Sequence, residues 1–210
     1  MIKNFIFDVD RTLLDSYKTE LETLKKALYT VTKTNYNDEV INKLTQLTTD
    51  EFFEGIGIKK DSDTLKQINN HWEKFLKERK ILLFDGIKEL LIHLKNNNCF
   101  IAIVTSRTKD ELNELDELIK YINLFDVVIT SDMVTNPKPD PESINLIIDK
   151  FNLKKEETIY IGDTQNDATA SAKASIYFGF ANWENKNSIS KYDYLFEKVE
   201  DIKNILIYEY

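Results

Sequence analysis

The sequence predicts an α/β protein in which a doubly wound parallel sheet carries an inserted helical domain. Three observations indicate this fold class. Short apolar runs rich in β-branched and aromatic residues recur along the 210 residues, helical patterns separate the later runs, and one long helical stretch follows the first run. Alternation of strands and helices is typical of a parallel sheet that is covered by helices on both faces.

Five segments have the length and composition of buried strands. The first begins near the amino terminus and ends in two acids, and the second precedes a Thr-Ser pair. The predicted strands are Ile2–Phe7, Phe100–Val104, Val127–Thr130, Thr158–Ile161 and Ile176–Phe180.

Capping signals mark the helices that lie between the later strands. Thr108 and Glu111 have the spacing of a capping box, which predicts a helix from that point. Asp140 and Pro141 offer an N-cap followed by a proline at the first helical position. A further helix is predicted over 86–97, just before the second strand.

The stretch from Ser16 to Leu83 interrupts this alternation, because it contains about four helical patterns and no convincing strand. We therefore expect residues 1–15 and 84–210 to form the α/β core and residues 16–83 to form a helical cap domain. The insert leaves and rejoins the core at adjacent crossings, which is an arrangement that lets a domain move as a lid.

Composition excludes several classes of function. The net charge of −8 argues against wide contact with nucleic acid or with an anionic membrane, and no apolar run approaches the roughly 20 residues that span a bilayer. The strand that begins at Ile2 leaves no room for a signal peptide, and the single cysteine, Cys99, fits a reducing compartment. We expect a cytoplasmic protein, and its oligomeric state stays open.

Polar residues fall where the predicted strands end. Asp8 ends the first strand, Thr105 and Ser106 follow the second, Lys138 lies in the loop after the third, and Asp163 follows the fourth. In open parallel sheets, ligands bind beyond the carboxyl ends of the strands. The sequence therefore predicts an active site at this edge of the sheet.

The acids at this edge indicate a metal ion. Asp8, Asp10 and Asp163, with Asp167 one helical turn further on, would repel one another if they were all ionised. A hard divalent cation removes that repulsion, and magnesium prefers such oxygen ligands. Asp167 has a second interpretation, as a capping residue of the helix that begins here.

The order and context of these residues resemble the four sequence motifs of the haloacid dehalogenase superfamily. The resemblance covers the whole chain and implies a Rossmann-like core. The helical insert sits where phosphoglycolate phosphatases and β-phosphoglucomutases carry a small helical cap. The motifs are Asp8-Val9-Asp10-x-Thr12, Thr105-Ser106, Lys138 and Gly162-Asp163-x-x-x-Asp167.

The resemblance implies catalysis through an aspartyl-phosphate. Asp8 is then the nucleophile that attacks phosphorus, and Asp10 protonates the leaving group before it activates water. Lys138 neutralises charge on the transferring phosphoryl group, which is the main requirement of phosphoryl transfer.

The same resemblance implies the remaining ligands of the site. Mg²⁺ is held by the carboxylates of Asp8 and Asp163 and by the backbone carbonyl of Asp10, with Asp167 beside the ion. The hydroxyls of Thr105 and Ser106 bind phosphoryl oxygens together with Lys138, and the substrate is a small phosphorylated metabolite.

Three functions are compatible with this resemblance. The first is a magnesium-dependent phosphatase, the second is a phosphomutase that returns the phosphoryl group to a sugar, and the third is a catalytically silent binding or regulatory protein. A dehalogenase is disfavoured, because that chemistry does not need an acid at Asp10.

Arg11 departs from the pattern of the family, which usually has glycine at this position. If the backbone here requires a positive φ, an arginine is strained by about 1 kcal/mol. We expect activity to survive this change, with the guanidinium facing the insert or a substrate anion.

Overall fold

The computed structural model describes residues 1–44, 49–60, 62–183 and 189–206. The chain forms two compact units. One consists of Met1–Asp15 and Ile81–Tyr210, and the other of Ser16–Lys80.

The first unit is built on a sheet of parallel strands in the order β3-β2-β1-β4-β5-β6. This sheet confirms the predicted fold class. The last strand was not predicted, because it has three residues and lies at an edge of the sheet, where the burial pattern is weak. The strands are β1 (Asn4–Phe7), β2 (Phe100–Val104), β3 (Val127–Ile129), β4 (Thr158–Gly162), β5 (Tyr177–Ala181) and β6 (Tyr194–Phe196).

Nine α-helices lie in the described residues, four in the helical unit and five in the core unit. Their bounds are α1 (Tyr17–Thr32), α2 (Asp38–Leu44), α3 (Thr49–Gly55), α4 (Asp63–Lys77), α5 (Ile87–Asn96), α6 (Lys109–Asn113), α7 (Asp116–Ile119), α8 (Glu142–Phe151) and α9 (Gln165–Ala174).

The helix predicted from Thr108 is divided into α6 and α7. Its capping box is present, with the Glu111 carboxylate accepting from the Thr108 N–H and the Thr108 hydroxyl accepting from the Glu111 N–H. Leu115, however, leaves the helical region with a ψ of 72° and is buried. The break leaves the buried side of the segment as predicted, because Leu112, Leu115 and Leu118 are all buried.

Side chains of the central strands alternate between two hydrophobic cores, one on each face of the sheet. Phe5 and Phe7 point into one core, which α5 covers with its buried leucines. Ile6 and Tyr160 point into the other, which α8 and α9 cover. Burial on both faces is why these strands read as continuous apolar runs.

The helical unit has a hydrophobic core of its own. α1 and α4 pack against each other, with Leu28 and Ile68 fully buried between the helices. Phe53 of α3 belongs to the same core, and the Trp72 indole donates a hydrogen bond to Thr23 Oγ1 at 3.2 Å. None of the helices in the described part of the chain combines the length and apolar character that crossing a bilayer requires.

The two segments of the core unit that lead to and from the insert are paired. Leu14 and Leu83 form an antiparallel bridge. The Asp15 N–H donates to the Leu82 carbonyl at 2.9 Å, and the Phe84 N–H donates to the Leu13 carbonyl at 3.0 Å. Both connections therefore leave the core unit side by side.

Candidate active site

Asp8 lies one residue beyond β1, at the carboxyl edge of the sheet. Its N–H donates to the Ile161 carbonyl at 2.9 Å, which extends the β1–β4 ladder by one hydrogen bond. The backbone of Asp8 is thus as fixed as that of the strand, and its carboxylate is buried at 6% exposure.

Lys138 reaches the site from the loop after β3, and its ammonium group makes three hydrogen bonds. Its Nζ lies 2.6 Å from Asp8 Oδ1, 2.7 Å from Asp167 Oδ1 and 2.9 Å from the Tyr160 hydroxyl. An ammonium group has three N–H donors, so these three acceptors use all of them. Tyr160 donates its own proton to the Val104 carbonyl at 2.9 Å, which fixes the acceptor side of its oxygen towards Lys138.

Asp167 belongs to the first turn of α9, and its two carboxylate oxygens make different contacts. Its Oδ2 accepts from the Thr164 N–H at 3.0 Å, and Thr164 Oγ1 accepts from the Asp167 N–H at 3.2 Å, so the two residues form a capping box. Its Oδ1 binds Lys138. Gly162 makes this possible, because a Cβ at that position would lie 2.6 Å from Asp167 Cγ.

Asp163 follows β4 and is buried beside Asp8. Carboxylate oxygens of Asp8, Asp163 and Asp167 lie within 4.8 Å of one another. Arg11 Nε lies 3.4 Å from Asp163 Oδ2. Arg11 has a φ of 58°, so the strain considered from the sequence is present in the structure.

Burial is the main influence on the ionisation of this cluster. It raises the pKa of Asp8 to about 7, against the attraction of Lys138 and with the repulsion of Asp167 and Asp10. It also raises the pKa of Asp163 well above its ordinary value, although the Arg11 guanidinium acts in the opposite direction. Burial alone would lower the pKa of Lys138, but the carboxylates of Asp167 and Asp8 raise it well above the ordinary value.

Asp10 lies apart from this cluster and is paired with an arginine. Arg107 Nε donates to Asp10 Oδ2 at 2.7 Å, and Arg107 Nη2 donates to Asp10 Oδ1 at 2.6 Å. Both side chains retain contact with solvent, 28% of Asp10 and 20% of Arg107. The sequence reasoning did not identify Arg107. A signal was available, because it stands third after the end of β2 and is one of only three arginines in the chain.

The end of β2 separates the two predicted hydroxyls. Thr105 is buried, and its Oγ1 accepts from the Arg107 N–H at 3.1 Å. Ser106 is exposed to solvent. The Arg107 carbonyl accepts from the Ser131 N–H at 2.9 Å, so the backbone of Arg107 is fixed on both sides.

The charges of the site favour an added cation. Four carboxylates and three basic side chains meet here among the described residues, an excess of one negative charge when all of them are ionised. Buried carboxylates whose pKa values are raised by burial gain most from a nearby cation, and hard divalent ions prefer oxygen ligands. The donor set therefore fits such an ion. The groups are Asp8, Asp10, Asp163 and Asp167, with Arg11, Arg107 and Lys138.

Comparison with known proteins agrees with this description. Residues 5–181 match the family model of haloacid dehalogenase-like hydrolases. The pyrophosphatase PpaX of Bacillus velezensis is 28% identical over 206 residues, which are 95% of this chain and 94% of the relative.

Solved structures share the fold. A candidate phosphoglycolate phosphatase from Lactobacillus plantarum superposes with a TM-score of 0.84 at 23% identity, over 98% of this chain and all of the other. A candidate hydrolase of the same superfamily, YfnB of Bacillus subtilis bound to magnesium, has a TM-score of 0.74 at 20% identity, over 98% of both chains.

Proposed function

The chain belongs to the haloacid dehalogenase-like hydrolase family, and we propose that it is a magnesium-dependent phosphatase that hydrolyses a small phosphorylated metabolite through an aspartyl-phosphate. The observation that carries this proposal is the setting of Asp8. Its carboxylate is buried, lies 2.6 Å from a lysine and shares a cluster with Asp163 and Asp167. A carboxylate placed in this way is a nucleophile held beside the charge that a phosphoryl group requires.

In the first step, an oxygen of Asp8 forms a bond to phosphorus while the bond from phosphorus to the leaving oxygen breaks. Asp10 donates a proton to that oxygen, and the substrate alcohol departs. Lys138 neutralises charge on the phosphoryl oxygens, and its fixed position means that little reorganisation is needed during the reaction.

In the second step, Asp10 removes a proton from water, and the water oxygen attacks the phosphorus of the aspartyl-phosphate. The bond to Asp8 breaks, and inorganic phosphate leaves. The partial exposure of Asp10 supports this role, because an acid/base must exchange protons with the leaving group and with water.

The residues proposed to hold Mg²⁺ are Asp8 and Asp163 through their carboxylates and Asp10 through its backbone carbonyl. When bound, the ion supplies positive charge that polarises the phosphoryl group. Asp167 is the more remote ligand in this proposal, since its two oxygens already bind Lys138 and Thr164.

Thr105 and Ser106 are proposed to contact the phosphoryl oxygens of the substrate. Thr105 lies at the end of β2 with its hydroxyl turned towards the following turn, and exposed Ser106 is accessible to a ligand. The helical unit is proposed to act as a cap that selects the leaving group. The side-by-side connections at Leu14 and Leu83 support that role, because they allow a hinge at one place.

The name of the sequence relative supports a phosphatase over the alternatives, because the Bacillus velezensis protein carries the name of a pyrophosphatase. The alternative of a phosphomutase of the same fold is tested with a sugar monophosphate and a small amount of the sugar bisphosphate. A mutase would take one phosphoryl group from the bisphosphate onto Asp8, return it to a different hydroxyl of the monophosphate, and isomerise the monophosphate without net release of phosphate.

A turnover assay tests the proposal directly. The purified chain should release phosphate from p-nitrophenyl phosphate with Mg²⁺, lose that activity in EDTA and regain it when magnesium is restored. A screen of phosphorylated metabolites then identifies the substrate. Asp163→Asn should raise the magnesium requirement more than Asp167→Asn does. Full activity in the presence of the chelator would contradict the proposed requirement for magnesium. If the protein hydrolysed no phosphate ester at all, the alternative of a catalytically silent binding protein would be the better explanation.

A further inference from the structure

The pairing of Arg107 with Asp10 conflicts with the role proposed for Asp10. Both carboxylate oxygens accept from the guanidinium, at 2.6 and 2.7 Å, in the two-pronged geometry that arginine forms with carboxylates. A general acid/base needs an oxygen that faces the leaving group or water. The guanidinium occupies one lone pair of each oxygen and hinders the approach of other groups to the carboxylate, so opening of the pair on one side would free Asp10 for this role.

The structure indicates which partner of the pair is able to move. The backbone of Arg107 is fixed by Thr105 on one side and Ser131 on the other. Its side chain is long and 20% exposed, so the guanidinium can move while the backbone stays in place. Asp10 has a shorter side chain on a turn that is closed by the hydrogen bonds of Arg11 and Leu14.

A competing anion is what would release Asp10. A guanidinium binds carboxylate and phosphate groups with the same pair of donors, whereas an ammonium acts as a point charge. Only three of the 28 lysines and arginines of this chain are arginines, and two of the three lie in this site. Lys138 is already assigned to the phosphoryl group that is transferred, and its side chain is only 5% exposed, so it is not the group that meets a second anion.

We propose that Arg107 is a specificity-determining residue, which selects substrates that carry a second anionic group, a carboxylate or a phosphate, close to the phosphoryl group that is transferred. The second anion takes the place of Asp10 on the guanidinium. This exchange holds the substrate and at the same time frees the Asp10 carboxylate for the leaving oxygen. The inference rests on the proposed phosphatase function and adds the class of substrate to it.

Three phosphate compounds of similar size test this proposal. 2-Phosphoglycolate carries a carboxylate as its second anion, pyrophosphate carries a phosphate, and 2-hydroxyethyl phosphate carries neither. The quantity compared is the ratio of kcat/KM values between a compound with a second anion and 2-hydroxyethyl phosphate. Because both values come from one preparation, a loss of folded protein cancels in the ratio.

The wild-type protein should prefer at least one of the two compounds with a second anion. In Arg107→Gln, kcat/KM for that compound should fall about 10- to 100-fold, which corresponds to the loss of a charge-assisted hydrogen-bonded pair. The value for 2-hydroxyethyl phosphate should fall much less, because this compound has no second anion for the guanidinium to bind, and the ratio should therefore decrease. Arg107→Lys should recover only part of the preference, since it keeps the charge and loses the two-pronged geometry.

The control is Arg79→Gln, the same change at an exposed arginine of the helical unit, and it should leave the ratio unchanged. An unchanged ratio in Arg107→Gln, or an equal fall for all three compounds, would overturn the inference while the phosphatase proposal stands. Absence of turnover of every phosphate ester by the wild-type protein would instead contradict the proposed function. The compound whose kcat/KM falls more in Arg107→Gln, 2-phosphoglycolate or pyrophosphate, identifies the second anion as a carboxylate or a phosphate.

Discussion

Two aspartates that stand two residues apart have opposite surroundings. The Asp8 side chain is 9% exposed and faces a lysine that is itself buried, whereas the Asp10 side chain is 28% exposed and faces an arginine at the rim of the site. Asp8 lies at the end of a strand ladder, and Asp10 lies in the turn that follows. One short motif thus supplies one carboxylate to a buried cluster and another to a pair that is partly exposed to solvent.

In the proposed mechanism, this difference prepares the same type of side chain for two kinds of chemistry. In the buried cluster, Lys138 and Asp167 hold each other and Asp8 in fixed positions, and desolvation strengthens every charge interaction. At the rim, the pair of Asp10 and Arg107 remains open to solvent and to competing anions. A nucleophile benefits from the first environment, and an acid/base that serves two steps benefits from the second.

Removing the carboxylate of Asp8 should have the largest effect on activity. Asp8→Asn keeps the shape of the side chain but supplies no anionic oxygen, so we expect kcat to fall by more than about 10⁴-fold, as for loss of a nucleophile. Steady-state assays check this, and circular dichroism should report an unchanged fold. Asp149→Asn, at an exposed position of α8, is the matched control and should keep full activity. Substantial residual kcat in Asp8→Asn would remove it from the mechanism.

Asp10→Asn should slow turnover without weakening the binding of magnesium. General acid–base catalysis contributes typically about 10²- to 10⁴-fold, so we expect a loss of kcat of that order. The affinity for magnesium, measured by titration calorimetry, should stay close to that of the wild-type protein, because only the backbone of Asp10 is proposed to reach the ion. Weaker magnesium binding in this variant would assign the side chain to the metal instead.

Breaking the buried cluster should affect stability more than breaking a surface pair. Lys138→Met leaves the carboxylates of Asp8 and Asp167 buried without their cation, which costs about 3–5 kcal/mol in the free energy of unfolding for such pairs. The double variant Lys138→Met/Asp167→Asn should recover part of this loss in urea denaturation. Lys66→Met, at an exposed lysine of α4, should leave stability nearly unchanged. An equal loss of stability in Lys138→Met and Lys66→Met would contradict the conclusion that Lys138 stabilises the buried carboxylates.

Stability should also depend on pH through Asp8. Its pKa is raised from 3.8 to about 7 in the folded protein, so the folded state binds a proton more tightly than the unfolded chain does. The stability of the metal-free protein should therefore decrease as pH rises from about 4 to 7, by up to about 4 kcal/mol, which is on the order of 10 °C in melting temperature at about 2–4 °C for each kcal/mol. Magnesium should raise the melting temperature more at pH 7 than at pH 5. Asp8→Asn should make this dependence less steep without abolishing it, because burial also raises the pKa of Asp163. An equally steep profile in that variant would assign the titration elsewhere.

The sequence was informative wherever the chemistry is local. Periodic apolar runs predict the first five strands, because a parallel strand buried on both faces has little choice of composition. Strand ends then indicate where Asp8, Thr105 and Asp163 gather, since parallel strands share one carboxyl edge. The capping interpretation of Asp167 came from the helix that was predicted to begin beside it, and the structure contains a capping box between Asp167 and Thr164.

Contacts between side chains that are remote in the sequence could not be predicted from it. Asp10 and Arg107 are 97 positions apart, and no pattern along the chain specifies that their side chains meet. Tyr160 reads as part of an apolar strand, although its hydroxyl binds both Lys138 and the Val104 carbonyl. The sequence predicted that Lys138 reaches this edge of the sheet from a loop, but it did not predict the contacts of Lys138 with Asp167 and Tyr160, because loop geometry is weakly encoded by periodicity.

Trapping the phosphoryl group on the protein is the most direct test of the contrast between the two aspartates. Asp10→Asn is mixed with p-nitrophenyl phosphate and Mg²⁺ and is quenched with acid within milliseconds to seconds. Because an activated aryl leaving group needs little protonation, Asp8 should be phosphorylated and then accumulate, with a burst of about one phenolate per enzyme. We predict a hydroxylamine-sensitive phosphoprotein whose modification maps to Asp8 by mass spectrometry. Turnover without any covalent phosphoprotein, or a phosphoryl group on another residue, would contradict the account.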